Sequence, residues 1–403
     1  MDAGRRAAPA RRGLPRRRLG ARRHDPSAGR RRGAPRRAGN GRRAGRSPPR
    51  RRPTLPEHAR RPAPRRLAGV RPCIRGPGAP AGREPPVSGA PTAIVAIGGN
   101  ALAPGGEPST IYDQFRHTRE SLAPIVDLVL GGWNVCIVHG NGPQVGDELV
   151  RNELARRDAS PLPLGVLVAE TAGWIGYMIQ QSLDNALRRA GHPRDVVTVI
   201  TQVHVDRDDP ALAVPTKFIG HALTPERARQ VEAEGYAVRA DGRGRLRRVV
   251  GSPRPLAVHE AGAVRRLLDA GTIVIACGGG GAPIYDDPSL GWEGVDAVVD
   301  KDLAAAVLAR DLGAELLLIL TDVDAVSADW GTPRQRALRR LTAEEAARMD
   351  GAGAFGEGSM APKVRAAVDF VRRTGGRAII TALDRGRDAV RGDAGTTIIP
   401  EQS

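Results

Sequence analysis

From residue 91 onward, short unbroken apolar runs alternate with longer stretches in which apolar residues recur every three or four positions. The short runs are AIVAI (93–97), VCIV (135–138), VVTVI (196–200), IVIAC (273–277), LLLIL (316–320), and the segments 377–381 and 396–399. Runs of this length rich in Val, Ile and Leu predict strands buried on both faces of a mainly parallel sheet. The periodic stretches between them predict helices over 111–130, 164–190, 302–312 and 361–373, closed by glycines such as Gly131-Gly132 and Gly191. Strand and helix in alternation define βαβ units, and so an α/β sandwich.

One region breaks this rhythm. Residues 206–252 open with a polar segment containing Pro215-Thr216-Lys217, and 236–250 (YAVRADGRGRLRRVV) reads as two strands about an Asp-Gly turn. We expect a small excursion with a hairpin, projecting from the sheet near its ligand edge. In open α/β sheets ligands gather beyond the carboxyl ends of the strands. Here those ends carry Gly98-Gly99-Asn100, Gly140-Asn141-Gly142, Gly278 to Gly281, and Asp322. Glycines after strands let backbone amides approach an anion closely. The agreement between glycine clusters and strand ends is more specific than any one cluster.

Charge divides the chain. Residues 1–90 contain 27 Arg against 4 Asp+Glu, a balance of +23, so with a total of +18 the remainder carries −5. This leader is dense in Arg, Pro, Gly and Ala, lacks aromatic residues and apolar periodicity, and is expected to be disordered. It has no apolar core of a secretory signal, and no run in the chain approaches a membrane span. Two readings of it stay open: a basic arm for nucleic acid or an anionic surface, and, favoured, a segment translated from an upstream start in a GC-rich gene that has no role in the mature protein. Cys136 and Cys277 lie in apolar runs and Cys73 in the leader, with no metal spacing, which predicts buried thiols in a reducing cytoplasm. His139 is expected to be packed at its strand end, and Trp174 and Tyr177, at helical spacing, to belong to the core.

The 62 basic residues include only three lysines, Lys217, Lys301 and Lys363. A chain that uses arginine for generic positive charge keeps lysine where a compact ammonium is needed. Lys301 stands between Asp300 and Asp302 at a strand-to-helix junction. Lys363 follows Gly358-Ser359-Met360-Ala361-Pro362 at another helix start, where a cation asks for an anion nearby. Lys217 lies on the excursion. Phosphoryl transfer needs positive charge on the moving oxygens and alignment of two substrates, with little covalent work from protein. Lysines and backbone amides suit it, with Asp302 holding Lys301 and Lys363 apart. No glycine cluster matches G-x-x-x-x-G-K-[ST] or a helix-opening G-x-G-x-x-G, so a P-loop and a dinucleotide redox fold are disfavoured. The eight histidines show no zinc spacing.

These stretches identify a resemblance. IVAIGGNAL (94–102), HGNGPQVG (139–146), TQVHVDRDDPA (201–211), PTKFIG (215–220), RRVVGSPRP (247–255), ACGGGGAPI (276–284), VDKDLAAAVLA (299–309), LTDVDAV (320–326) and FGEGSMAPKV (355–364) are similar, in that order, to the carbamate kinases of the amino acid kinase superfamily. The resemblance covers 91–403. It implies a three-layer αβα sandwich with a mainly parallel central sheet, a protruding subdomain over 206–252, a homodimer, and reversible phosphoryl exchange between ATP and carbamate, usually making ATP from ADP and carbamoyl phosphate in arginine catabolism. By motif, Gly98, Gly99, Asn100, Gly140, Asn141 and Gly142 would meet carbamate and the moving phosphoryl group. Lys217 and Lys363 would stabilise the transition state, Lys301 would bind nucleotide phosphates, and Asp302 would organise the lysines. Gly278, Gly279, Gly280, Gly281, Asp322, Gly358, Ser359, Met360 and Lys363 would line the nucleotide side, and Mg²⁺ would be held mainly by phosphate oxygens. Phe218, His221-Ala222 and Gly251 depart from the family pattern within or beside the excursion. The rivals are another acid kinase of the superfamily and a nucleic-acid-binding protein whose leader serves a degenerate kinase body. The intact motif set and the acidic body weigh against the second.

Overall fold

A computed structural model describes residues 89–102, 110–355 and 360–401. The leader readings, and Gly358 and Ser359, lie outside the described residues. In chain order the strands are β1 (Thr92–Ile97), β2 (Asn134–His139), β3 (Val196–Thr198), β4 (Gln202–His204), β5 (Lys217–Ile219), β6 (Ala237–Ala240), β7 (Leu246–Val250), β8 (Ala257–Val258), β9 (Ile273–Ile275), β10 (Ala282–Asp287), β11 (Gly291–Gly294), β12 (Leu316–Thr321), β13 (Ser327–Ala328), β14 (Arg336–Ala337), β15 (Arg340–Thr342), β16 (Arg377–Ala382) and β17 (Thr396–Ile399). The helices are α1 (Gly99–Leu102), α2 (Ile111–Glu120), α3 (Ala123–Leu130), α4 (Gly142–Ala155), α5 (Leu164–Arg189), α6 (Pro210–Ala213), α7 (Pro225–Ala233), α8 (Ala261–Asp269), α9 (Lys301–Asp311), α10 (Ala343–Gly351), α11 (Met360–Thr374) and α12 (Gly386–Arg391).

The central sheet has the order β15-β17-β16-β12-β1-β2-β9-β3. From β16 to β3 every neighbour is parallel, and only β17 runs against β16. Because side chains alternate across a strand, both faces of these apolar runs are covered. Ile94, Ala96, Cys136, Val138, Leu317, Ile319 and Ile380 meet α8 to α11 on one side. Ala93, Val95, Ile97, Val135, Ile137, Leu318 and Ile379 meet α3 and α5 on the other. Each such large side chain buried contributes roughly 1.5–3 kcal/mol. The fold is the mixed α/β sandwich the runs predict.

Local departures have local causes. The helix expected over 111–130 is two helices, because Pro124 lacks an N–H and its ring collides with the carbonyl four residues back. The strand expected over 273–277 ends at Ile275. Cys277 takes a left-handed conformation (φ 47°), with its N–H donated to Thr201 Oγ1 at 2.6 Å. The strand expected over 196–200 likewise ends at Thr198. Trp174 packs partly against the core, but Tyr177 is exposed, its ring edge-on to Phe115.

The excursion contains a separate antiparallel sheet, β5-β7-β6, with α7 against it. Its hairpin turns on Asp241, whose Oδ1 accepts from the amides of Arg243 (2.9 Å) and Arg245 (3.0 Å). A further sheet, β11-β10-β4-β8, and the β13-β14 ribbon were not foreseen from sequence. Among the described residues no helix is long and apolar enough to cross a membrane.

Candidate active site

The carboxyl ends of β1, β2, β9 and β12 lie side by side, and the residues that follow them converge. Gly98 donates to the carbonyl of Leu320 at 3.2 Å, and Gly140 to that of Ile97 at 3.0 Å. A Cβ on Gly140 would stand 3.0 Å from the Gly99 nitrogen and 3.1 Å from Cδ of Lys301. The Lys301 stem therefore runs directly over the Gly140 backbone, and any side chain there would have to push it and Gly99 aside.

Lys301 begins α9, and Asp300 is its N-cap, with Oδ1 accepting from the amides of Asp302 (2.9 Å) and Leu303 (3.4 Å). The other Asp300 oxygen is bound by Nζ of Lys217, the first residue of β5. Asp302, almost fully buried, receives Lys301 Nζ on one oxygen and Lys363 Nζ, 3.0 Å away, on the other. Lys363 sits in the first turn of α11, so the anion its position asked for is the Asp302 carboxylate. Lys301 and Lys363 are themselves buried.

Burial pushes both carboxyls up, but the lysines more than offset it. Lys217, then Lys301 and Lys363, hold Asp300 well below the usual carboxylate range, and Lys301 and Lys363 hold Asp302 below it. Burial lowers Lys301, whereas at Lys363 burial is outweighed by Asp302, Asp300 and Asp322 together, which raise it. Three ammoniums share the two buried carboxylates, with Asp322 further out, so positive charge is concentrated at the sheet edge. An anion is the natural occupant.

Backbone donors add to this. Asn141 caps the first turn of α4 without a side-chain bond to it, since its amide donates instead to Thr171 Oγ1 at 2.9 Å. A 14-residue helix thus points an uncapped N-terminus, with its favourable dipole, at the lysine side of the sheet edge. The tetraglycine turn has its own steric logic. A Cβ on Gly278 would fall 2.7 Å from His139 Nε2, on Gly279 2.4 Å from Asn141 Nδ2, and on Gly280 2.3 Å from the Val299 carbonyl oxygen. Gly278 to Gly280 therefore pack against residues at the end of β2 and just before α9, and Gly281 packs against Val203 of β4.

The structure brings together Gly98, Gly99, Gly140 to Gly142, Lys217, Lys301, Asp302 and Lys363. Asn100 follows Gly99 within α1, and Met360 opens α11. Asp322 is exposed at the end of β12, bonded to Thr321 Oγ1 at 3.1 Å, and is near enough to raise Lys363. Asp300 is faint in the sequence, its signal only its place one residue before a helix start, and no apolar run announces α4 and its acids. Among the described residues no group of three or more His, Cys, Asp or Glu could hold a metal ion.

Known proteins match this arrangement. The amino acid kinase family model covers residues 91–382. Carbamate kinases of Halobacterium salinarum and Pyrococcus horikoshii are 48% and 42% identical over 311 residues, 76% of this chain and 98% of each relative. That of Escherichia coli K12 is 45% identical over 310 residues, 76% of this chain and 99% of its own. Among solved structures, the carbamate kinase of Giardia lamblia bound to AMP-PNP is 37% identical with a TM-score of 0.71, covering 78% of this chain and 100% of that one. The chain is a phosphotransferase that belongs to the amino acid kinase family, within its carbamate kinases.

Proposed function

We propose that the protein moves a phosphoryl group between carbamoyl phosphate and ADP, chiefly in the ATP-forming direction. A β-phosphate oxygen of ADP attacks the phosphorus in line, the bond from phosphorus to the carbamate oxygen breaks, and carbamate leaves as an anion that decomposes to ammonia and carbon dioxide. No covalent enzyme intermediate is required. One observation carries this reading above all: three lysines of a nearly lysine-free chain meet on Asp300 and Asp302 beside strand-end glycines.

The proposed roles follow from position. Lys217 and Lys363 stabilise charge on the equatorial oxygens, Lys301 binds nucleotide phosphate, and Asp302 and Asp300 hold the three ammoniums in fixed relation. Gly98, Gly99 and Gly140 to Gly142 would face the acceptor, and Gly278 to Gly281, Asp322, Met360 and Lys363 the nucleotide; Asn100, Gly358 and Ser359 are assigned to the same two sides by their sequence motifs alone. Both site carboxylates are occupied by lysines, so the donor set fits Mg²⁺ arriving on the nucleotide, held by phosphate oxygens with Asp322 as the nearby free acid. When bound there it would supply further neutralisation of phosphate charge. A homodimer in the cytoplasm, serving the breakdown of arginine through carbamoyl phosphate, completes the reading. The test is ATP formation from ADP and carbamoyl phosphate. Rapid turnover is expected; none with carbamoyl phosphate, but turnover of acetylglutamate with ATP, would reassign the acceptor.

A further inference from the structure

We infer that Glu153, on the last turns of α4, is a positioning residue for Lys217, a role that rests on the reading of Lys217 as a transition-state cation. One Glu153 oxygen is bound by Arg227 of α7 and the other by Arg248 of β7, so a single carboxylate is gripped by both layers of the small sheet that carries Lys217. The Arg248 arm is closed to solvent, with side-chain exposure of 11% for Glu153 and 8% for Arg248, whereas Arg227 is 34% exposed. Tyr236 stacks under the Arg248 guanidinium at 4.3 Å, which fixes its plane.

The path from Glu153 to the chemistry is short. Arg248 lies opposite Ile219 in the β5–β7 ladder, and Lys217 is two residues along the same strand, paired with Val250. The strand touches the body at a second point. Gly220 donates to the Gly142 carbonyl at 2.9 Å, and a Cβ on Gly146 would lie 2.0 Å from Gly220 Cα. Lys217 itself reaches Asp300. The small sheet rests on α4 through the glycine contact and through Ile219 and Val250 packed with Val145 and Leu149, and the pairs Asp147–His221 (3.2 Å) and Arg156–Glu234 (3.8 Å) span the same joint. Glu153 adds the tie at the end far from the site, one carboxylate holding both Arg227 and Arg248, which resists rocking of the sheet about the glycine contact and keeps Lys217 over Asp300. An ion pair of this kind adds little net stability compared with apolar packing, but it is geometrically demanding, and removing the acid leaves two guanidiniums unpaired and facing each other.

The expected consequence is kinetic. A small misplacement of a catalytic group can cost about 10²-fold in rate. Glu153→Gln should lower kcat for ATP formation by about 10- to 100-fold with little change in the KM for ADP, because the nucleotide side is held by α9 and α11. Glu153→Asp, which keeps the charge, should recover part of the loss. In a Lys217→Ala background the Gln substitution should cost almost nothing further, since two changes acting through one group are not additive. Hydrogen exchange on the full chain supplies a readout independent of turnover: amides of 217–220 and 246–250 should exchange faster in Glu153→Gln, and those of 301–311 should not. A kcat at the wild-type value with unchanged exchange would overturn the inference, as would an equal loss in the Lys217→Ala background. If Lys217→Ala itself kept the full rate, the reading of Lys217 would fail while the exchange result still judged the contact of Glu153 with the small sheet.

Discussion

His139 ends β2 in complete burial, its Nδ1 3.1 Å from the Gly140 carbonyl, with the tetraglycine turn packed on its other face. Burial pushes its pKa down to about 4, so the ring is neutral at physiological pH. The sign of the consequence is definite. Above about 6.5 the ring is neutral in both folded and unfolded states. As pH falls from 6.5 towards 4 the unfolded chain takes up a proton the folded one refuses, and stability drops by up to about 3 kcal/mol. In urea titrations the stability advantage of wild type over His139→Asn should shrink across that window; an advantage that held constant would deny the buried neutral ring. The residue's packed character was legible from its place at the end of an apolar run. Lys217, Lys301 and Lys363 were legible because lysine is scarce in this chain. Glu153 was not, because its two partners lie 74 and 95 residues away and nothing in a polar helix face announces them.

At the scale of elements, what decides whether sequence shows the structure is how completely an element is buried. The strands of the central sheet are apolar on both faces, so their runs stand out. β8 has only two residues, and β4, β10 and β11 carry polar residues such as Gln202, His204, Asp286 and Glu293, so none of them leaves an apolar run to read. α4 was hidden differently. It begins Gly142-Pro143, a pair that looks like a stop, yet proline is well tolerated in the first turn of a helix. The joint between α4 and β5 also explains two glycines that sequence alone leaves as ordinary. Gly146→Ala should cost about 1–3 kcal/mol in chemical denaturation, because its Cβ has only the Gly220 backbone to displace. Gly142→Ala, whose Cβ would meet nothing closer than the Phe218 carbonyl oxygen at 3.8 Å, should be close to neutral for stability. Equal costs at the two positions would mean that the glycine contact does not set the docking of the small sheet.

Over the whole molecule, the fold delivers three cations from three separate places to one pair of acids. α9 supplies Lys301 with Asp300 and Asp302, α11 supplies Lys363, and the small sheet supplies Lys217. The sheet edge furnishes closely packed glycine turns, and α4 starts there without a side-chain cap. This is the division of labour phosphoryl transfer calls for, in which position and charge replace covalent chemistry. If compact ammonium groups at 217 and 363 do the work, steady-state ATP formation from ADP and carbamoyl phosphate by Lys217→Arg and Lys363→Arg will show it. Each variant keeps its charge but exchanges a point donor for a planar fork. A loss of about 10²-fold or more in kcat is expected for each; wild-type rates in both would contradict a role for compact ammonium groups.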